Sequence, residues 1–133
     1  FNFIGDISKF SGVIKKKLKY FKNKTSHFSN LFFTLALSYG SRDEIVCAVR
    51  KIKKDLGKIN ENDITMNLMT NNIPDPDLVI RTSGEKRLSN FLLWQIAYSE
   101  LYFTKTLWPE FNISRYTQAL ENYVSRKRRF GGD

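Results

Sequence analysis

The sequence of 133 residues is poor in cysteine, proline and histidine, and it has no long apolar run. Its single cysteine, Cys47, excludes a disulfide within the chain and suits a reducing compartment. The longest apolar stretches, near residues 31–37 and 91–98, fall well short of the ~20 residues needed to cross a bilayer. With 41% apolar and 14% aromatic residues, the chain still has enough material for a packed core. We therefore expect a globular protein and exclude a disulfide scaffold.

Acidic residues are absent between Lys9 and Lys24, a stretch that holds seven lysines, and the whole chain has a net charge of +9. Basic clusters of this kind bind nucleic acid or anionic lipid, or they are simply solvated. Apolar residues recur here at helical spacing, which predicts an amphipathic helix with its lysines on the solvated side. These apolar residues are Phe10, Val13, Ile14, Leu18 and Phe21. We favour the solvated interpretation, and attraction to an anionic lipid surface is its main competitor.

Strand patterns alternate with helical patterns along the chain. The predicted order is strand 1–5, helix 8–23, strand 31–39, helix 42–56, short helix 63–71, strand 77–81, helix 90–98, strand 100–104 and helix 114–129. This alternation predicts an α/β fold with a parallel central sheet flanked by helices. Ser41 and Glu44 fit a capping box at the start of helix 42–56, and Gly57 is well placed to end that helix.

A short apolar strand followed by a polar turn predicts that two arginines lie together. Residues 78–80 are apolar and deliver Arg81 to the carboxyl end of a strand, where parallel sheets bind their ligands. The flexible turn at Ser83 and Gly84 then brings Arg87 to the same place. Paired guanidinium groups can hold phosphate oxygens bidentately and never lose their charge. The pattern therefore predicts a diphosphate site.

Backbone groups and carboxylates near this turn extend the prediction. Gly84 allows a positive φ or a close approach of backbone amides to the anion, and Ser89 stands where an N-cap would open helix 90–98. A helix N-terminus attracts anions. Glu85 and Glu100 would be out of place beside an anion unless a cation lay between them, and Mg²⁺ usually has that role at diphosphate sites. These residues imply a magnesium ion.

The chain resembles the cis-prenyltransferases, the family that includes undecaprenyl diphosphate synthase and dehydrodolichyl diphosphate synthase. The motifs that carry this resemblance are Phe3–Asp6, Leu35–Ile45, Arg81–Phe103, Leu107–Phe111 and Arg128–Gly132. They follow the expected order, so we expect the C-terminal portion of the undecaprenyl diphosphate synthase fold. We expect residues 1–133 to be the C-terminal part of a single catalytic domain, since the family's N-terminal segment with its catalytic aspartate has no counterpart among them. Alone, these residues should be inactive.

The resemblance implies that isopentenyl diphosphate condenses with an allylic diphosphate to give a long polyprenyl diphosphate with new cis double bonds. By position in the motifs, Arg81, Arg87 and Ser89 would bind the diphosphate of isopentenyl diphosphate. Leu88 would contribute through its backbone, and Glu100 would ligate Mg²⁺.

Four other residues have supporting roles in this resemblance. Glu85 would order the arginines or touch the metal through water, and Arg42 could approach the active site or form a structural ion pair. Arg129 and Gly131 resemble a terminal motif that reaches the partner's active site in a dimer, so a homodimer is expected. Ser83 stands where the family commonly has a second glycine.

Two other functions stay open at this point. A non-catalytic relative acting as an accessory subunit tends to keep the terminal Arg-x-Gly and lose the arginine turn, whereas this chain has both. An RNA-binding module would interleave aromatic residues with its lysines on one face, and that pattern is not visible, so we expect no nucleic-acid partner. The sequence does not fix the compartment. A cytosolic location is expected, and a peripheral membrane contact, at the endoplasmic reticulum if the source is eukaryotic, is the competing interpretation.

Overall fold

A computed structural model of the protein describes residues 1–126. The chain divides into two units, Phe1–Ile73 and Pro74–Asp133, and each contains a two-stranded parallel sheet. The predicted α/β class with parallel strands is confirmed, and the strands that the structure describes pair two by two. None of the helices described has both the length and the apolar character needed to span a bilayer.

The first unit begins with a β-α-β crossover. β1 (Asn2–Ile4) pairs in parallel with β2 (Thr34–Ala36), and α1 (Gly12–Lys24) connects them. Parallel strands need such a crossover, because a tight turn would reverse the direction of the chain. The side chain of Ser11 caps α1 by accepting a hydrogen bond from the Ile14 amide.

The apolar face predicted for α1 is largely exposed. Of its five predicted positions only Leu18 is buried, while Val13 and Phe21 are 65% and 50% exposed. The ring of Phe21 packs edge-on against that of Phe1, with the centroids 6.4 Å apart. The predicted helix is therefore present, with most of its apolar residues exposed to solvent.

Two helices follow β2, namely α2 (Ser41–Lys51) and α3 (Glu61–Thr65), with a 3-10 turn at Leu56–Lys58 between them. The helix predicted for residues 42–56 thus ends five residues early, and Gly57 does not terminate it. A capping box forms at the start of α3, where Asn60 and Asp63 exchange hydrogen bonds between side chain and backbone.

The capping box predicted at Ser41 and Glu44 is wrong. Gly40 precedes α2 without a side-chain cap, and Ser41 is the first residue of the helix. The Glu44 carboxylate is buried and accepts hydrogen bonds from Tyr39 and Met69.

The second unit pairs β3 (Leu78–Arg81) in parallel with β4 (Glu100–Phe103). A 3-10 turn at Trp108–Glu110 and the helix α4 (Ile113–Val124) follow. The side chain of Asn112 caps α4 by accepting from the Arg115 amide at 3.2 Å.

Residues 90–98, predicted as a helix, form turns instead. Asn90 and Leu92 have φ angles of 62° and 47°, which a right-handed helix excludes. Gln95 and Ile96 are nevertheless buried. The apolar pattern in this segment therefore does not correspond to a helix.

Candidate functional site

Arg81 is the last residue of β3, at the carboxyl end of the β3–β4 pair. Its carbonyl oxygen accepts a hydrogen bond from the Thr104 amide at 2.9 Å, one step beyond the end of β4. Its side chain is half-buried, and no carboxylate of residues 1–126 forms an ion pair with it. Because a guanidinium group stays charged at physiological pH, Arg81 is a cation without a neutralising partner in this part of the chain.

The turn after β3 is hydrogen-bonded to the segment after β4. The Ser83 amide donates to the Thr106 carbonyl at 2.9 Å, and the Gly84 amide donates to the Thr104 carbonyl at 2.8 Å. Gly84 has a positive φ of 73°, which is one of the two alternatives predicted for it, and Ser83 has a φ of 68° as well. The two amide hydrogen bonds attach this turn to the segment after β4.

Arg87 forms an ion pair with Glu85 within the arginine loop, which we define as residues 82–90. The Arg87 and Glu85 side chains are 67% and 39% exposed, so solvent screens the pair and its contribution to stability is small. The contact uses one Nη atom of Arg87, and a guanidinium group has further N–H donors for a second acceptor. Glu85 therefore contacts Arg87 without using up its donors, and its predicted role in ordering the arginines stays a prediction.

Leu88 and Ser89 have unused backbone donors. Neither amide donates to an acceptor among the residues that the structure describes, and the Ser89 hydroxyl has no partner there. Ser89 has a φ of 49° and no helix follows it, so its predicted position as an N-cap is wrong. The donors available to an anion here are those of a loop and not of a helix N-terminus.

Positive φ angles are concentrated in the loops that follow the parallel strands. The non-glycine residues with positive φ are Ser38, Ser83, Ser89, Asn90 and Leu92. The first of these follows β2, and the other four follow β3. Such a conformation costs roughly 1–2 kcal/mol per residue and persists where the surrounding structure imposes it, often at functional sites. This distribution makes the loop after β3 the strongest candidate site.

Glu100 begins β4, at the opposite end of the strand pair from Arg81. In the parallel register Glu100 lies beside Leu78, and Arg81 lies beside Phe103. Three residue steps along the strand correspond to about 10 Å. The Glu100 carboxylate pairs with Arg126, whose Nη1 lies 2.7 Å from Oε2. Glu100 and Arg81 are therefore not brought together by the register of these strands.

Arg126 was not predicted as a site residue. Its Nη1 also donates to the Leu101 carbonyl at 3.0 Å, and its Nε donates to Asn122 Oδ1 at 3.0 Å. The spacing of four residues between Asn122 and Arg126, one helical turn, is the sequence signal that could have identified this contact. Arg126 orients the Glu100 carboxylate.

Within residues 1–126, no group of three or more histidine, cysteine or acidic side chains could hold a metal ion. A carboxylate is a hard oxygen ligand of the kind that Mg²⁺ prefers, and Mg²⁺ often takes only one or two protein carboxylates, with substrate phosphates and water as its other ligands. Glu100 fits this chemistry as one ligand. The described residues do not form a magnesium site by themselves.

The other predicted site residues belong to different parts of the chain. Arg42 lies exposed in the first turn of α2, in the first unit. Arg129 and Gly131 lie outside the described residues.

A protein-family model described as undecaprenyl diphosphate synthase matches residues 1–131. A tritrans,polycis-undecaprenyl-diphosphate synthase of Picrophilus torridus, geranylgeranyl-diphosphate specific, is 48% identical over 96% of this chain and 53% of its own. A ditrans,polycis-undecaprenyl-diphosphate synthase of Buchnera aphidicola, (2E,6E)-farnesyl-diphosphate specific, is 47% identical over 99% of this chain and 55% of its own. The chain thus spans about half the length of the curated relatives it matches.

A solved structure agrees with these sequence matches. It is lavandulyl diphosphate synthase from Lavandula x intermedia in complex with dimethylallyl diphosphate, with a TM-score of 0.94 and 38% identity over 98% of this chain and 59% of that chain. The parallel α/β units and these matches identify the protein family of the chain. The chain belongs to the undecaprenyl diphosphate synthase family, the cis-prenyltransferases that its motifs resemble.

Proposed function

We propose that the full-length protein condenses isopentenyl diphosphate with an allylic diphosphate and extends the product to a long polyprenyl diphosphate. One structural observation carries the proposal within this family. At the carboxyl end of β3, Arg81 has no partner carboxylate among residues 1–126, and it is followed by the arginine loop with its unused amides. Cationic side chains and free amides at the end of a parallel strand suit a diphosphate.

The arginine loop binds the diphosphate of isopentenyl diphosphate in this proposal. Arg81 and Arg87 donate charge-assisted hydrogen bonds to its oxygens, and the Ser89 hydroxyl and Leu88 amide add neutral ones. Residues 81–87 contain three cationic side chains and one carboxylate, so the net charge of this segment is positive and attracts an anion. Fixing the diphosphate orients the isopentenyl double bond toward the allylic carbon, which is the positioning that condensation needs.

In the condensation, the isopentenyl double bond attacks the allylic carbon as the allylic diphosphate leaves. A proton is then lost, and a new double bond of cis geometry forms. The protein contributes orientation and electrostatic stabilisation of the charge that develops on the leaving group. Repetition of this step lengthens the chain.

We propose Mg²⁺ as the metal, with Glu100 as one of its ligands. When bound, Mg²⁺ would neutralise charge on a diphosphate. Arg126 contacts Oε2 of Glu100, so Oε1 is the oxygen that we assign to the metal. The remaining ligands would be diphosphate oxygens, water or groups outside residues 1–126.

The resemblance also supports two proposals on assembly. Residues 1–133 form the C-terminal part of a single catalytic domain, and the full-length protein forms a homodimer in which the motif that contains Arg129 and Gly131 reaches the partner's active site. Sedimentation of the full-length protein at micromolar concentration should give the mass of a dimer. A monomer under conditions where product is made would contradict the homodimer.

A peripheral membrane contact through α1, on the cytosolic face, is favoured by the exposure of its apolar residues. Exposed apolar residues on a helix rich in lysine are typical of a helix that lies on an anionic bilayer. Changing Lys16, Lys17 and Lys19 to glutamate should abolish cosedimentation with phosphatidylglycerol vesicles. The matched control changes Lys51, Lys53 and Lys58, which alters the net charge equally and should preserve binding. Equal binding by both triple variants would contradict the contact.

Product analysis is the direct test of the proposed activity. Full-length protein, labelled isopentenyl diphosphate, Mg²⁺ and either farnesyl or geranylgeranyl diphosphate should give labelled polyprenyl diphosphates. Failure with both primers contradicts the proposal. Product that forms only after a second subunit is added would favour the accessory-subunit alternative. Filter binding of RNA with a steep salt dependence would favour the RNA-binding alternative.

A further inference from the structure

Glu44 is a buried carboxylate that connects separate segments of the first unit. It is 2% exposed. Its Oε2 accepts from the Tyr39 hydroxyl at 2.5 Å, and its Oε1 accepts from the Met69 amide at 2.8 Å. Burying a carboxylate is costly unless its oxygens are hydrogen-bonded, so these contacts are ones that the fold must keep. Glu44 therefore ties the end of β2 and the start of α2 to the segment that follows α3.

Met69 extends this connection to β1. Its sulfur atom accepts from the Gly5 amide at 3.2 Å, and the Asp6 amide donates to the Ser38 carbonyl at 3.2 Å. A Cβ atom at Gly5, where φ is 100°, would lie 2.1 Å from the Leu37 carbonyl oxygen. The loops that follow β1 and β2 are thus in close contact. The loop after β1 is joined to Glu44 through Met69, and the loop after β2 is joined to it through Tyr39.

Arg42 lies on the backbone segment that Glu44 connects, from the end of β2 to the first turn of α2. It lies between Tyr39 and Glu44 in the sequence, in the first turn of α2, and it is exposed. The carboxyl ends of parallel strands, where α2 begins, are where α/β folds bind anionic ligands. Ser38, just before this turn, has a strained φ of 47°. Support from a buried side chain is what keeps such a backbone in place.

We propose that Glu44 is a positioning residue, which holds the β2–α2 loop (residues 37–40) and the first turn of α2 so that Arg42 meets the diphosphate of a substrate. The identity of the ligand rests on the proposed function. The alternative is that Glu44 stabilises the fold and Arg42 contacts no substrate. Binding and stability measured on the same variants separate the two.

The test is calorimetric titration of inorganic diphosphate into full-length wild-type protein, Glu44→Ala, Arg42→Ala and the double variant. Each single change should raise the Kd about 10-fold through loss of one charge-assisted contact. The double variant should bind like Arg42→Ala, because residues that act as a unit are not additive. A wild-type Kd in Glu44→Ala would overturn the proposal. A Kd in the double variant that rises by the product of the two single increases would also overturn it.

Three further variants separate positioning from folding. Asp63→Ala also removes a carboxylate that accepts a backbone hydrogen bond in this unit, and it should lower the thermal stability without changing the Kd. Glu44→Gln should bind within about 2-fold of wild type, since its amide can accept from Met69 and donate to the Tyr39 oxygen. If Glu44→Ala fails to fold, Tyr39→Phe removes one donor to the Glu44 carboxylate and should raise the Kd about 3-fold. Wild-type affinity in Tyr39→Phe would then overturn the proposal.

These measurements do not depend on turnover. If wild-type protein binds diphosphate but makes no polyprenyl product, the proposed activity fails while the variant series still decides the role of Glu44. If wild-type protein does not bind inorganic diphosphate, the positioning role is overturned.

Discussion

The two units place their carboxylates in contrasting environments. Glu44, in the first unit, is buried and accepts from a hydroxyl and a backbone amide. Glu85 and Glu100, in the second, are partly exposed and pair with arginines. Buried hydrogen bonds to neutral donors are costly to break, whereas a partly exposed ion pair can exchange its partner for a ligand. The first arrangement suits a scaffold, and the second suits a site that binds and releases an anion.

The largest expected effect comes from the glycines of the two units. Gly5→Ala should lower the free energy of unfolding of the full-length protein by about 3 kcal/mol or more, because the added Cβ would lie 2.1 Å from a backbone oxygen. Gly84→Ala should cost only about 1 kcal/mol, the strain of its positive φ. The nearest atoms to a Cβ at Gly84 are 3.9 Å away. If urea denaturation shows that the two variants lose the same free energy of unfolding, the contrast between a tightly packed loop at Gly5 and an open loop at Gly84 is contradicted.

Arg87→Ala should raise the KM for isopentenyl diphosphate about 100-fold, because a charge-assisted contact contributes roughly 1.5–3 kcal/mol. Arg87→Lys should not restore the wild-type value, since lysine lacks the planar fork. Arg115→Ala, an exposed arginine of α4, is the matched control and should leave the KM unchanged. An unchanged KM in Arg87→Ala would remove Arg87 from the site.

Variants of Glu100 and Arg126 separate a role of Glu100 in binding Mg²⁺ from its role in the ion pair with Arg126. Glu100→Gln should raise the Mg²⁺ concentration for half-maximal activity about 10-fold, as loss of a metal-site interaction commonly does. Arg126→Gln leaves the carboxylate in place and should raise this concentration less than Glu100→Gln does, because it removes only the group that orients Glu100. A Glu100→Gln variant with the wild-type Mg²⁺ requirement would show that Glu100 is not a metal ligand.

The smallest effect concerns Asp63, whose pKa is lowered by the Lys54 ammonium at 2.6 Å and by the Asn60 amide. Because the folded pKa is depressed, its stabilising contribution is present above the ordinary value of 3.8 and is lost as the pH falls through the lowered pKa. The difference in unfolding free energy between wild type and Asp63→Asn should therefore shrink in acid. A difference that does not change with pH would contradict this account.

The strands and their order could be predicted from the sequence because their signals are local. Residues 77–81 and 100–104 were predicted as strands, and β3 and β4 lie within these ranges. The helix predicted at residues 90–98 could not be ruled out from the sequence. The positive φ angles at Asn90 and Leu92 prevent this helix, and they do not alter the apolar periodicity. Apolar periodicity therefore did not distinguish this segment of turns from a helix.

Contacts between distant residues were the other source of error. Ser41 and Glu44 match a capping box locally, but Glu44 bonds to Met69, 25 residues further along the chain. The pairing of Glu100 with Arg126, 26 residues away, was missed for the same reason. The predicted convergence of Arg81 and Arg87 on one diphosphate also depends on distant contacts, and it stays a prediction.

A crystal structure of the full-length protein with bound inorganic diphosphate and Mg²⁺ tests this convergence most directly. We predict that guanidinium nitrogens of Arg81 and Arg87 both lie within about 3 Å of oxygens of one diphosphate, with the Ser89 hydroxyl at a similar distance. A diphosphate held by other residues, with these two guanidinium groups directed into solvent, would contradict the account.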